Sequence, residues 1–378
     1  MKICHICSGP LQLFEDFPSF VQVTSDCRPW KAGGQLAHCG ACGIIQKPVT
    51  EDWLKEARNI YSEYNVYCQA NGKEQSSFDQ ITGSSQARSK RIVQWLSGHY
   101  SLTEQGKLLD IGCGNGSFLE AFGTKFPNWK MQGLELDDRN KSVVEKIPGV
   151  TALHAGPIKE LKDKFDLIVL IHSLEHIPNP LEYLKLIRPH LAPNGLVFIQ
   201  VPDLKMSPFD LLIADHCTHF DFPSLKKMVS LAGFEMVAHE GDFVPKELSF
   251  LARPLQNDFI KDDTLKMLSQ KSAEMHLGWL KASLNQGQRI EGQVGVFGTS
   301  IAGTWLAASL KDKVSFFVDE DSGRVGRKHF DRIIYGPENA PHDVSILVPL
   351  RADIANSIIS RLKKFDIKLV PPPQVGQV

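Results

Sequence analysis

Leu108-Leu109-Asp110-Ile111-Gly112-Cys113-Gly114-Asn115-Gly116 is the most informative stretch of the chain. An apolar run enters three alternating glycines, and the helically spaced stretch Phe118–Phe126 follows. Glycines in a strand-to-helix turn permit a tight bend and a close approach of backbone to a ligand. Glu135 stands twenty-five residues after Asp110, at the end of the next apolar run, Met131–Leu136. An acid at that strand end accepts hydrogen bonds from both hydroxyls of a ribose. The dinucleotide fingerprint needs Gly-x-Gly-x-x-Gly. Here the spacing is Gly-x-Gly-x-Gly behind a leading acid, Asp110. A carboxylate beside the loop suits a cationic amino-acid ligand better than a pyrophosphate.

On the C-terminal side of this loop, apolar runs alternate with helical patterns. Strands are expected at Thr151–His154, Phe165–Ile171 and Leu196–Val201, and helices over Arg139–Ile147 and Leu181–Leu191. Alternation of this kind implies parallel pairing with helices on both faces. A helix over Ser224–Ala232 and strands Phe234–Ala238 and Leu248–Ala252 complete the unit. A long helix, Asp258–Leu284, reads as a connector to a second βαβ unit: strand Val294–Phe297, helix Thr304–Leu310, strand Ser315–Val318. The glycine loop Gly298-Thr299-Ser300-Ile301-Ala302-Gly303 opens that helix, where amides suit a phosphate, helped by Arg324, Arg327 or Lys328. The alternative is a packing unit with basic surface residues.

The cationic ligand that fits the first loop is S-adenosylmethionine, with its ammonium and sulfonium groups. From Leu108 to Val201 the chain resembles the class I methyltransferases. The resemblance implies that Asp110, Gly112, Gly114, Glu135, Leu136, Ile158 and His172 line the cofactor pocket.

At the front, Cys4-x-x-Cys7 precedes Cys39-x-x-Cys42. Two such knuckles complete the tetrahedral thiolate shell that zinc prefers, and a closed shell is structural. His5 or His38 stands ready to replace one ligand; a redox dithiol is the competing reading. The expected fold class is therefore α/β: a Rossmann-like class I methyltransferase domain, a small N-terminal zinc module and a second C-terminal Rossmann-like α/β domain. The expected division is 1–52 zinc module, 53–106 tyrosine-containing segment and leading helices, 107–255 cofactor domain, 256–289 connector and 290–378 substrate domain.

Three further stretches, Cys39-Gly40-Ala41-Cys42-Gly43-Ile44-Ile45-Gln46, Tyr61-x-x-Tyr64-x-x-Tyr67 and Asp215-His216-Cys217-Thr218-His219-Phe220, resemble the deoxysugar C-methyltransferases. Those enzymes methylate a keto sugar carried on a nucleoside diphosphate. Carbon methylation beside a ketone needs a base for the α-proton and a donor for the enolate. His216 is the expected base, oriented by Asp215 or by backbone, and Tyr67 the expected donor or phosphate anchor. His172 and His176 follow the fourth strand, and one of them is expected to face substrate. The chain departs from the family in Asp215, where the family has Glu, and Ile213, where it has Tyr. O- or N-methylation of another small metabolite, with a single base, is therefore the alternative. A non-catalytic binding protein that keeps the fold is the third reading.

The 378 residues exceed one core of about 250–300. A net charge of −1 gives no footprint for nucleic acid, and no apolar run spans a membrane. The front end lacks the apolar stretch of a signal peptide, and the uneven cysteines fit a reducing compartment. A cytoplasmic monomer or homodimer is expected, with a small-molecule partner, most simply a nucleotide-linked sugar.

Overall fold

The fold is built on a seven-stranded sheet, seen in a computed structural model that describes residues 2–64, 74, 76–78, 85–241, 243–255 and 269–374. Tyr67 lies outside the described residues, as does the first part of the expected connector helix. The strands are β1 (Lys107–Ile111), β2 (Lys130–Glu135), β3 (Val150–Ala155), β4 (Phe165–Ile171), β5 (Leu191–Pro202), β6 (Phe234–Glu240) and β7 (Glu247–Pro254). Their order is β3-β2-β1-β4-β5-β7-β6, with the first five parallel and β7 antiparallel to both neighbours. Strand order reverses between β1 and β4, so the crevice for a ligand opens at their carboxyl ends.

Both faces of the sheet are covered, which explains why β4 is apolar along almost its whole length. Leu108, Leu167 and Val169 pack with the helices α2 (Arg88–His99) and α3 (Ser117–Lys125). Leu109, Ile111, Ile168 and Leu170 pack with α4 (Pro180–Ile187) and α5 (Phe222–Leu231). The alternation follows from the period-2 geometry of a strand. The helix expected over Arg139–Ile147 shrinks to Lys141–Val144. Glu145 accepts the Leu153 amide at 2.9 Å and Lys141 donates to the Leu153 carbonyl at 2.8 Å, tying the segment to β3.

The N-terminal residues form a four-stranded antiparallel sheet from Leu11–Leu13, Ala37–Cys39, Ile45–Gln46 and Thr218–His219. Its last strand belongs to the loop that carries His216, so the cysteine-rich front is an annex of that loop. Helix α1 (Glu51–Ser62) follows, capped by Thr50. The C-terminal unit has α7 (Ile301–Leu310) and α8 (Ala352–Leu362) around β8 (Val294–Phe297), β9 (Val314–Val318), β10 (Arg332–Tyr335), β11 (Ile346–Leu347) and β12 (Leu369–Val370). The parallel order is β10-β9-β8-β11-β12, with Lys328–His329 added as a hairpin that the sequence reading missed.

Among the described residues helix α6 covers Ser269–Arg289, running past the expected end at Leu284. It is not a bare linker. Ala273, Leu277 and Trp279 share one core with Phe17, Leu36, Phe209, Leu212 and Trp305. The front, the segment before His216 and the C-terminal unit therefore meet in common apolar packing. Among the described residues no helix is long and apolar enough to cross a membrane.

Candidate active site

A cleft of about 770 Å³ runs from the β1–α3 loop to the start of α7. Gly112, Gly114 and Gly116 all have positive φ, at 77°, 55° and 83°. A Cβ on Gly112 would stand 2.7 Å from the Ser173 Cβ, so glycine is required there twice over. Gly112→Ala is expected to cost about 1–2 kcal/mol from left-handed backbone alone. A fall in the midpoint of chemical denaturation checks it, and an unchanged midpoint contradicts it.

The Gly114 amide donates to Glu135 Oε1 at 2.6 Å, and the Leu136 amide to Oε2 at 3.2 Å. Glu135 and Leu136 both line the cleft, and Leu136 is 73% exposed, an apolar platform beside the acid. Gly112, Gly114 and His172 line it too. Two expected cofactor residues do not. Ile158 is buried in the core with Ile111 and Leu134, because Pro157 starts a turn that points it inward. Asp110 is buried below the loop, where desolvation and the Glu135 charge hold its carboxyl well above the usual range. It sits beneath the loop and is not among the residues that line the cleft.

The strongest polar feature of the cleft is a buried carboxylate that the sequence reading missed. Asp210 accepts from His216 Nδ1 at 2.6 Å and from His219 Nδ1 at 2.6 Å. It sits in a 3₁₀ turn, Pro208–Leu212, otherwise apolar and buried. A lone acid in such a run must be paired, and that was the available signal. Asp215, the expected partner of His216, turns elsewhere. It accepts from the Ser25 amide at 2.9 Å and the Ser25 hydroxyl at 2.5 Å, and lies 3.4 Å from His176 Nδ1. The reason is the chain direction: His216 hydrogen-bonds back to the Ile213 carbonyl, folding its ring over Asp210.

These groups set each other's protonation. Burial alone would depress His216, but the Asp210 carboxylate outweighs it and raises its pKa above the ordinary imidazole value. Burial and the neighbouring His216 charge lower His176. Burial opposes the charge of His172 as well, yet Glu247 at 3.2 Å and Glu175 at 3.3 Å hold its pKa up at about 9. Lys47, fully buried, donates to the Ile213 carbonyl, and burial brings its pKa to about 8 against the pull of Asp210 and Asp215. His176 Nδ1 meets the Asp215 carbonyl at 3.1 Å, and its ring stands edge-on to His216 at 4.4 Å. Tyr61 and Tyr64 line the same wall, with Tyr61 6.0 Å from the His176 ring.

The far end of the cleft is formed by Ser300, Ile301 and Arg324. Arg324 is held by the Thr299 hydroxyl at 2.9 Å and by Asp319 at 3.4 Å. Arg327 and Lys328 do not line the cleft. Away from it, the four sulfurs of Cys4, Cys7, Cys39 and Cys42 lie within 4.8 Å of one another. Cys4 and Cys42 are 3.7 Å apart, and Cys7 and Cys39 3.5 Å. Metal–sulfur bonds near 2.3 Å place tetrahedral sulfurs about 3.8 Å apart, so this set fits one ion. His5 and His38 are not in the cluster. His5 instead meets the Thr218 hydroxyl at 2.8 Å.

A family model described as a methyltransferase domain matches residues 85–239. The chain is 33% identical over 129 residues to a ubiquinone biosynthesis O-methyltransferase of Histophilus somni, covering 30% of this chain and 51% of that protein. It is 25% identical over 198 residues to the C-methyltransferase NovU of Streptomyces niveus, covering 49% and 46%. The chain thus spans about half the length of the curated relatives it matches. The solved mitomycin 7-O-methyltransferase MmcR is 15% identical with a TM-score of 0.39, over 44% of this chain and 52% of that one. With the glycine loop, the acid at the end of β2 and the matched family on one sheet, the chain carries a class I, S-adenosylmethionine-dependent methyltransferase domain.

Proposed function

We propose that this protein moves a methyl group from S-adenosylmethionine to a small polar acceptor, of the nucleotide-linked sugar kind, with His216 as general base. The observation that carries this reading is the Asp210–His216 pair at 2.6 Å on the wall of a cleft that also holds the glycine loop. When bound, the cofactor supplies an electrophilic methyl group on sulfonium. Glu135 would hold its ribose, the Gly112–Gly114 backbone its amino-acid end, and Leu136 its adenine. His216 Nδ1 is committed to Asp210, which leaves Nε2 to take the acceptor's proton. Asp210 holds the ring and stabilises the imidazolium that results. Tyr61 lines the cleft and can share the donor role expected of Tyr67, which lies outside the described residues.

Ser300, Ile301 and Arg324 suit the phosphates of such an acceptor, because amides at the start of α7 and a held guanidinium face the cleft. The buried Ile213, apolar where the resembling family has a phenol, favours a second reading, O-methylation with His216 alone. We further propose one structural zinc on Cys4, Cys7, Cys39 and Cys42, the domain division given above and a cytoplasmic location.

The test is a methyl-transfer screen by mass spectrometry over nucleotide sugars and free small polar metabolites. A mass gain of one methyl on a nucleotide sugar, lost with Arg324→Ala, is the expected result. Methylation confined to acceptors without phosphate overturns the sugar-nucleotide reading. No methylation of any acceptor, with cofactor binding intact, overturns the enzymatic one.

A further inference from the structure

Glu175, His176 and His216 each offer a ligand atom within 4.8 Å of the other two. Glu175 is 1% exposed, and neither of its oxygens has a hydrogen-bond partner. A buried carboxylate held by one imidazole, His172 at 3.3 Å, keeps acceptor capacity to spare, and such groups are retained where something binds them. The two imidazoles are prepared in the same sense. His216 Nδ1 is taken by the Asp210 carboxylate at 2.6 Å and His176 Nδ1 by the Asp215 carbonyl at 3.1 Å. Metal-bound histidines are held in this way, with one nitrogen on a carboxylate or carbonyl and the other on the ion. The carboxylate has its own support, since His172 Nδ1 lies 3.3 Å from Glu175 Oε1.

The His176 and His216 rings stand edge-on with their centroids 4.4 Å apart, which brings both imidazoles to one place on the cleft wall. Two imidazoles and one carboxylate suit a borderline divalent ion and leave open positions toward the cleft. The thiolate cluster is a separate closed shell on other residues.

We propose that Glu175, His176 and His216 form a second metal site for one divalent ion of the zinc, cobalt or nickel class, and that this ion competes with the acceptor's proton for His216 Nε2. The binding claim stands on geometry alone; its consequence for turnover rests on His216 being the base. An ion on Nε2 removes the lone pair that would accept a proton, so metal occupancy silences the enzyme.

The test titrates the full chain, already carrying one equivalent of zinc, with cobalt(II). A second equivalent is expected, with weak ligand-field bands and no sulfur-to-cobalt charge-transfer band. His176→Ala and Glu175→Gln should each lose it while keeping the first equivalent and a native circular dichroism spectrum. Saturating the second site should lower methyl transfer about 10²-fold or more, reversed by a weak chelator. Binding of a single equivalent overturns the proposal, as does a second that survives both substitutions. A second equivalent that leaves the rate unchanged or raises it overturns the competition and, with it, the base assignment. The titration and spectral arms need no acceptor, so they stay decisive if the methyl-transfer screen finds none.

Discussion

Asp210→Asn is expected to lower kcat by about 10²–10⁴-fold while leaving cofactor affinity within a factor of about two. The amide keeps the shape of the carboxylate but loses its charge. It can also present its NH₂ group to His216 Nδ1, which would turn the imidazole into the wrong tautomer. Asp210 reaches His216 and His219 equally at 2.6 Å, so one substitution disturbs both rings. The pH dependence separates this role from simple structural support. In the native protein burial disfavours the His216 imidazolium, and the Asp210 charge overrides it and raises the pKa. The base form exists above that pKa, so activity falls as pH drops through it. Without the carboxylate the pKa falls, and the acidic limb of the rate profile moves to lower pH. Steady-state rates from pH 5 to 9 with calorimetric cofactor binding decide the matter. A limb that stays in place, or a loss confined to cofactor binding, removes Asp210 from the mechanism. His216→Ala should match the rate loss and abolish the limb.

The contrast between Glu135 and Asp210 shows what the chain announces and what it hides. Glu135 is legible because two local patterns fix it: strand β1 ends in a glycine turn, and the next parallel strand must end beside it. A hydrogen bond from the Gly114 amide at 2.6 Å holds it beside the glycine turn. Asp110 belongs to the same pattern but points below the loop, since strand residues alternate faces and the sequence alone does not say which face a ligand takes. Asp210 has no motif. Its role depends on a 3₁₀ turn and a strand, Thr218–His219, that bring two histidines back to one carboxylate. Asp215 stands next to His216 in the chain and was the natural guess. Adjacency in sequence puts side chains on different sides of an extended loop, and Ser25 claims Asp215. The C-terminal helix start was legible as a glycine loop; that only Arg324 of its three candidate cations lines the cleft was not, because the Lys328–His329 hairpin carries the others away.

Loss of the zinc proposed on the front cluster is expected to unlock the active-site loop from a distance. Cys39 ends a strand whose neighbour, Ile45–Gln46, pairs directly with Thr218–His219. The same front supplies three further ties: His5 to the Thr218 hydroxyl at 2.8 Å, Ser25 to Asp215 at 2.9 Å, and Lys47 to the Ile213 carbonyl. Structural zinc contributes roughly 10–16 kcal/mol of apparent folding energy in isolated zinc-finger peptides. Here Phe17 and Leu36 share an apolar core with Trp305, so the front stays docked at reduced stability and does not detach. Cys39→Ser should therefore remove the bound zinc and raise amide exchange at residues 217–220 about 10-fold or more, while β1 and β4 stay protected. Methyl transfer should fall in parallel, because Asp210 no longer faces a fixed His216. Hydrogen exchange read by mass spectrometry, with zinc content measured on the same sample, checks both. Unchanged exchange at 217–220 in a zinc-free protein would separate the metal from the loop and leave the front as a packing annex alone.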